Sequence, residues 1–573
     1  MDAELSGNEK AQEIPSDANS CERNGTTSII ELSEHGLHRG LKSHHIQLLA
    51  ISGVIGSGLF VASAGALNSA GPGGLLVGYS AWCVFLLCVA HATGEMSTLL
   101  PVPGSFITHS DLDTNMAGDI GRFIDESAAV AMGWIYAYRI FVVADCTALT
   151  GLWSYWFPDI NPGVWVTITL VVVFTLNCLA VRYFGEAEFY ASIYKIFLII
   201  GFLIFAFIVV LGGNPQHDRI GFRYWKDPGA FNEQYIGGGG GKFLAIWGVF
   251  NAAAFAIGGP DLIANCASET INPRRNIPKA VKRVIYRLIF FFILSVFAVG
   301  LLVPYNDPTL LTALASKNGV TKSPFIIAMK RLKIKFLPDL CNAVIPRRGR
   351  SITSAWSCTN CLLFQASRTV FGLAKYGRAP KIFAKTTKSG VPMPALLLST
   401  AVSSLAFLTC NTASAVVLEW FINLGSTATM IAYILIMLAN LRFHQGLRAQ
   451  GVDPSTLPYR SRFTPYCNYF GIFWVGLILL TNGYGKWTCA LLTSLPMLMA
   501  CIGVFIKGHW SFSGFFTAYF TLVFFLAIYF VWKILKKTSF IKPGDMDIQT
   551  GIAEVEAHER SLGYKPPASR YEK

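Results

Sequence analysis

Gly53-Val-Ile-Gly-Ser-Gly-Leu-Phe60 stands inside an apolar run that extends from about Ile46 to Leu67. A helix that simply crossed a bilayer would gain nothing from three glycines there, since each costs about 1 kcal/mol against alanine in a helix interior. The stretch therefore reads as a broken helix. Unwound backbone at membrane depth persists only where protein or a water-filled cavity satisfies its amides and carbonyls. Half-helix ends of this kind hold the charged ends of small solutes near the bilayer midplane. The break thus predicts a solute site in a membrane protein.

Composition points the same way. The 573 residues are 53% hydrophobic, 13% aromatic and only 14% charged, with a mean hydropathy of +0.47. A net charge of +14 raises the question of nucleic acid, but a basic groove needs soluble surface with interleaved aromatics. Here the basic residues fall between apolar runs, so no nucleic-acid partner is expected. Residues 1–37 are polar and partly acidic with no signal-peptide h-region, and read as a disordered cytoplasmic tail. Most of the 13 cysteines lie in apolar runs, where a small polarizable side chain packs well, so structural disulfides are not expected.

Apolar runs of about 20 residues, enough to span, lie near Ile46–Leu67, Leu75–Leu100, Ala128–Trp153, Val164–Val181, Phe189–Leu211 and Phe243–Ala267. Six more lie near Val284–Val303, Leu337–Ala374 (interrupted), Ala395–Cys410, Val416–Leu441, from Phe470, and Phe515–Leu535. Arg274, Arg275, Lys279, Lys282 and Arg283 follow the sixth run, Arg368, Lys375, Arg378 and Lys381 the eighth, and Arg442 and Arg448 the tenth. Cytoplasmic loops carry such excess. The expected topology is therefore about twelve spans with both termini inside, although Lys330–Lys335 falls outside and breaks the pattern.

The sixth run repeats the opening anomaly: Phe255-Ala-Ile-Gly-Gly-Pro-Asp261 puts two glycines, a proline and a carboxylate inside apolar sequence. Proline removes a helical hydrogen bond and the acid must be housed within the protein. Two broken helices five spans apart fit an inverted repeat in which the first helix of each half unwinds at a shared site.

Further stretches carry a resemblance. Arg39-Gly-Leu-Lys-Ser-His-His-Ile46, Gly53 to Phe60, Gly94-Glu-Met96, Gly185-Glu-Ala-Glu-Phe189, Glu269-Thr-Ile-Asn-Pro-Arg-Arg-Asn-Ile-Pro-Lys279, Val303-Pro-Tyr-Asn306 and Ser367-Arg-Thr-Val-Phe371 occur in order. Together they resemble the signatures of fungal amino acid permeases, in the amino acid, polyamine and organocation superfamily. The resemblance implies an all-α membrane protein with a five-plus-five inverted repeat, helices 1 and 6 discontinuous, and two extra C-terminal helices. It implies a permease domain over residues 38–537, a cytoplasmic tail over 538–573, and proton-coupled uptake of L-amino acids across the plasma membrane.

Physical chemistry supplies roles for the matched positions. Backbone around Gly53, Ile55, Gly56, Ser57 and Gly58 can donate amides to a substrate carboxylate, and carbonyls freed from Phe255 to Gly259, Gly258 included, can accept from its ammonium group. Asp261 borders that second break. Phe255 resembles the family's aromatic lid. The substrate side chain is to be met by the third, sixth, eighth and tenth helices. Lys195, in the apolar run Tyr190 to Ile200, is a costly intramembrane charge and hence a functional residue by default. It resembles the fifth-helix lysine that substitutes for a sodium ion in superfamily members, which implies proton coupling; the alternative is a lysine snorkelling to the cytoplasmic end beside Glu186 and Glu188.

Arg139 and Asp145 lie in the third span where relatives are usually neutral, and are read as facing the interior in a structural role. Relatives carry a glutamate at Thr147, and Asp261 and Pro260 replace the usual glutamate and threonine. Cys358-Thr-Asn-Cys361 has metal or redox spacing but sits in a membrane helix, so no metal or cofactor is expected. Gly237 to Gly241 lacks a phosphate-loop ending and reads as an external hinge, and His44 and His45 read as interfacial. Asp545-Met-Asp-Ile-Gln-Thr-Gly551 resembles the family's tail motif and implies trafficking machinery as a partner, beside membrane lipid, protons and substrate.

Three segments interrupt the resemblance: residues 111–120, 346–352 and 486–503. Pro346-Arg-Arg-Gly-Arg-Ser351 places three arginines in the eighth run, each costing about 2.5–3.5 kcal/mol at mid-membrane. Gly485-Lys-Trp487 admits codons containing an intron donor pattern, and the segments read as translated intron. No nucleophile, base and orienting acid come together in sequence, so an enzyme is not expected. The alternative to a transporter is an amino acid receptor on the same scaffold.

Overall fold

The computed structural model describes residues 56, 58–99, 118–137, 141–153, 157, 159–179, 181–234, 237–260, 273–315, 323–331, 353–375, 377–387, 389–410, 414–454, 457–482, 512–548 and 560. Among them there is no strand. A π-helical turn, Gly58–Ala62, leads into α1 (Ser63–Leu99), followed by α2 (Gly118–Phe123), α3 (Glu126–Ala137), α4 (Phe141–Trp153), α5 (Pro162–Cys178) and α6 (Val181–Val210). Then come α7 (Gly239–Ala256), α8 (Pro273–Arg287), α9 (Leu294–Leu302), α10 (Pro308–Ala315), α11 (Pro324–Arg331), α12 (Thr353–Lys375), α13 (Met393–Ser403), α14 (Ser414–Ala449), α15 (Tyr466–Leu480) and α16 (Phe512–Lys536).

Every apolar run read from the sequence carries helix, and among the described residues 7 helical stretches are long and apolar enough to cross a membrane. α1 contains the end of the first run and all of the second, joined through Gly71 at φ 74 and Pro72. That corner is tight: a Cβ on Gly71 would stand 2.8 Å from the Ala230 carbonyl oxygen. Of the five glycines at 237–241, Gly239–Gly241 open α7 and Gly238, at φ 81, precedes it. The eighth-run helix α12 begins at Thr353, after the arginines at 347, 348 and 350.

α6 shows how the fold meets lipid. Tyr183, Tyr190, Phe197, Ile204 and Leu211 recur every seven residues and are all exposed, whereas Glu188, Ser192, Lys195, Ile199 and Phe202 on the other face are buried. Seven residues make almost two turns, so each set forms a stripe. The polar stripe turns inward and the apolar one outward, the inverse of a soluble helix.

At the opposite end of the sequence the chain after α16 folds back onto the helices. Ile541 N–H donates to the Ile124 carbonyl at 3.2 Å, Asp547 pairs with buried Arg122 at 2.9 Å, and Gln450 donates to the Met546 carbonyl at 2.5 Å. Met546 and Ile548 are buried, with Met546 seated against Gly446 of α14. Residues 538–548, assigned to a tail by the sequence, are thus packed on α2, α3 and α14.

Candidate functional site

The two helix breaks meet. A Cβ on Gly58 would stand 2.5 Å from Ala256 Cα, and one on Gly56 would stand 2.5 Å from Cys358 Sγ. Real Cβ contacts are not this short, so the first break lies directly on the end of α7 and on α12. Beyond Ala256 the helix stops: Ile257 is extended, at φ −119 and ψ 108, and Gly259 has φ +120, a region open to glycine and rarely to other residues. Gly56, Gly58, Phe255, Gly258 and Gly259 are therefore brought together. Gly53, Ile55, Ser57 and Asp261 lie outside the described residues, as do Arg139, His44 and His45.

One expected free carbonyl is taken. The Trp82 indole N–H donates to the Ile257 carbonyl at 3.3 Å, because α1 runs along α7 and places a donor at the unwound turn. Tyr433 of α14 packs near Trp82, and its hydroxyl would be 3.5 Å from a Cβ on Gly258. The Ile257 carbonyl is therefore not among those left open at the break.

The side-chain wall has an identifiable membership. Val142, Val143 and Cys146 of α4, Cys358 and Leu362 of α12, and Leu418, Phe421 and Leu424 of α14 form one apolar cluster, with Val61 and Phe255 packed against it. These are the third, eighth, tenth and sixth helices, meeting beside both breaks. Helical periodicity alone could not name the inward positions, because α4 buries its polar Asp145, Thr147 and Thr150 along with its apolar residues.

Lys195 is buried, with 1% of its surface exposed, and it acts electrostatically on Cys358 and Cys361 of α12. A lysine reaching the membrane edge would be exposed at its tip. The Lys195 side chain is instead enclosed by protein. Glu188, two turns earlier on the same face, accepts from Ser357 Oγ at 2.5 Å and from Asn360 Nδ2 at 2.7 Å. Asn360 in turn accepts from Asn177 Nδ2 of α5 at 2.6 Å. The Cys358–Cys361 pair thus belongs to a polar seam between α6 and α12, and no metal-ligating cluster occurs among the described residues.

Residues 45–542 match the amino acid permease family. The chain belongs to that family. It is 37% identical to the proline-specific permease of Saccharomyces cerevisiae over 92% of this chain and 80% of that protein. It is 38% identical to the proline-specific permease of Emericella nidulans over 92% and 90%, and 34% identical to the dicarboxylic amino acid permease of Saccharomyces cerevisiae over 90% and 80%. A solved structure of a manganese transporter variant from Eremococcus coleocola shares the fold at TM-score 0.51 and 12% identity, covering 86% of this chain and 94% of that one. The protein is accordingly a multi-pass membrane permease and not an enzyme.

Within the permease, two apolar grooves lie away from the breaks. One of about 380 Å³ is lined by Trp134, Val370, Leu398, Phe524 and Trp532, and one of about 450 Å³ by Ile204, Phe207, Phe290 and Leu301. Neither offers charged groups to an amino acid's carboxylate and ammonium ends. Asp145, read from the sequence as facing the interior, is 2% exposed, and its helix α4 packs against α12, whose Cys358 thiol abuts Gly56.

Proposed function

We propose that this permease is a proton-coupled importer of L-amino acids at the plasma membrane, with the substrate backbone held between the two helix breaks. The supporting observation is the apposition of Gly56 and Gly58 with Cys358 and Ala256 at 2.5 Å from a built Cβ, beside an unwound turn from Ile257 to Gly259. Glycine there lets backbone amides approach a carboxylate without a side chain between them. Phe255 serves as the lid over the solute, with Asp261 beside the second break. Lys195 carries the charge cycle that couples protons to helix movement, and the tail is read by trafficking machinery.

The wall of Val142, Val143, Leu418 and Phe421 suits a compact apolar side chain. The names of the proline-specific relatives make L-proline the first substrate to test. Uptake of labelled L-proline, within a panel of amino acids, into permease-deficient fungal cells decides the reading. Saturable accumulation that is lost with a proton uncoupler is expected. Binding without accumulation would favour the receptor, and neither binding nor accumulation of any amino acid would overturn both.

A further inference from the structure

We propose that the groove between α3, α12, α13 and α16 holds an acyl chain of an anionic phospholipid, whose phosphate is met by Lys381, Lys385 and Lys536. The groove encloses about 380 Å³ and its lining carries no charge. Its one hydroxyl, Ser399 Oγ, already donates to the Ala395 carbonyl at 3.0 Å. α16 also turns Val523, Phe530 and Val531 outward, as a helix at the lipid boundary does. An acyl chain gains no hydrophobic energy by leaving the bilayer for such a groove, because lipid tails are as apolar as leucine. Selection therefore falls to the polar end of the groove.

That end lies where α12 and α16 finish and α3 and α13 begin, since Val370 and Trp532 line the groove beside Val130 and Leu398. Lys536 stands one turn beyond Trp532 on the same face of α16, with Nζ 6.0 Å from the Trp532 ring centroid. The Trp532 indole N–H has no hydrogen-bond partner, an unfavourable state for a buried donor. Phosphate and ester oxygens of a lipid are acceptors of the kind it lacks.

The opposite wall brings charge to the same end. Phe383 packs with Val370, Ala137 and Leu398, all three of which line the groove. It belongs to the helical turn Lys381–Ala384, so Lys381 and Lys385, both exposed, flank it there. The acids at the start of α3 are already neutralised: Asp125 pairs with Lys533 at 2.5 Å and Glu126 with Arg378 at 3.3 Å. Lys381, Lys385 and Lys536 enter no ion pair among the described residues. Each lysine near a bilayer surface favours an anionic headgroup about fivefold, so three uncompensated ones make the groove selective.

The test uses the purified full-length protein in detergent with added lipid. Native mass spectrometry is expected to show one phosphatidylserine retained per protein, at concentrations about tenfold or more below those needed for phosphatidylcholine with the same chains. Phosphatidylserine should also raise the melting temperature more, because it binds the folded state. Lys381→Gln combined with Lys385→Gln and Lys536→Gln should retain both lipids alike. Val402→Trp, which fills the groove and leaves the lysines intact, should retain neither. Equal retention of the two lipids by the wild-type protein would overturn the proposal, and so would a triple variant that keeps the preference. Equal stabilisation by inorganic phosphate would show an anion site without a chain, and a lipid-free dimer would put a second copy in the groove; either result also defeats it. If the variants do not fold, the wild-type comparison still decides. None of these measurements depends on transport, so their outcome is separate from that of the uptake test.

Discussion

Gly56 and Gly58 are both closed to a side chain, but by different atoms, and the difference is testable. At Gly56 the obstruction is the side chain of Cys358, whose Cβ is 2.8 Å from a built Cβ; at Gly58 it is the Ala256 backbone, with Cα at 2.5 Å. Gly56→Ala is therefore expected to reduce uptake at least tenfold, and Cys358→Gly to restore part of it, at a helix cost of about 1 kcal/mol. Gly58→Ala should not be rescued by trimming any side chain, since the helix itself must move. Uptake in the single and double variants, normalised to surface protein, checks both. Lys195→Ala is expected to fold, because Glu188 keeps its bonds from Ser357 and Asn360. It should lose the pH dependence of maximal uptake while retaining exchange, and unaltered proton dependence would assign the lysine a packing role.

At the scale of elements, α14 joins the site to the end of the bundle where the chain after α16 folds back. Its first turns supply Leu418, Phe421 and Leu424 to the wall, and its last turns hold the returning chain. Asn440 and His444 of α14 also bond buried Glu95 of α1, at 3.1 Å and 2.8 Å. Arg122 is 1% exposed and Asp547 27%, so removing the acid leaves a guanidinium in a dry place, while the partner's partial exposure moderates the loss. Asp547→Ala should destabilise the protein by about 1–2 kcal/mol, read as a lower melting temperature in detergent with the same uptake per surface molecule. Gly446→Val should do the same more strongly, because a Cβ there would lie 2.8 Å from Met546 Sδ.

For the whole molecule, the uncommon segments bear on which chain is made in the cell. Residues 346–352 and 486–503 lie outside the described residues, and of residues 111–120 only the last three are described, as the first turn of α2 with Ile120 buried. Sequencing the mature transcript is expected to show all three removed. If they persist and the full-length protein transports, the helix facing Lys195 starts beyond the arginines, as α12 does at Thr353.

The amino-acid sequence by itself determined the class: runs of about 20 apolar residues must become helices in a bilayer, and every such run carries helix among the described residues. It also determined where backbone breaks, because Gly56, Gly58, Gly258 and Gly259 are local properties of their own residues. Lys195 was legible as a buried charge for the same reason. Tertiary structure alone decided which groups meet. In α4 and α12 polar residues such as Thr147, Thr150, Thr359 and Asn360 are buried alongside the apolar ones, so polarity does not mark the inward face and the wall from α4, α12 and α14 could not be named in advance. Trp82 capping Ile257, and Cys358 standing against Gly56, join residues far apart in the chain. Such pairings are set by how helices pack, and a linear pattern holds no record of them.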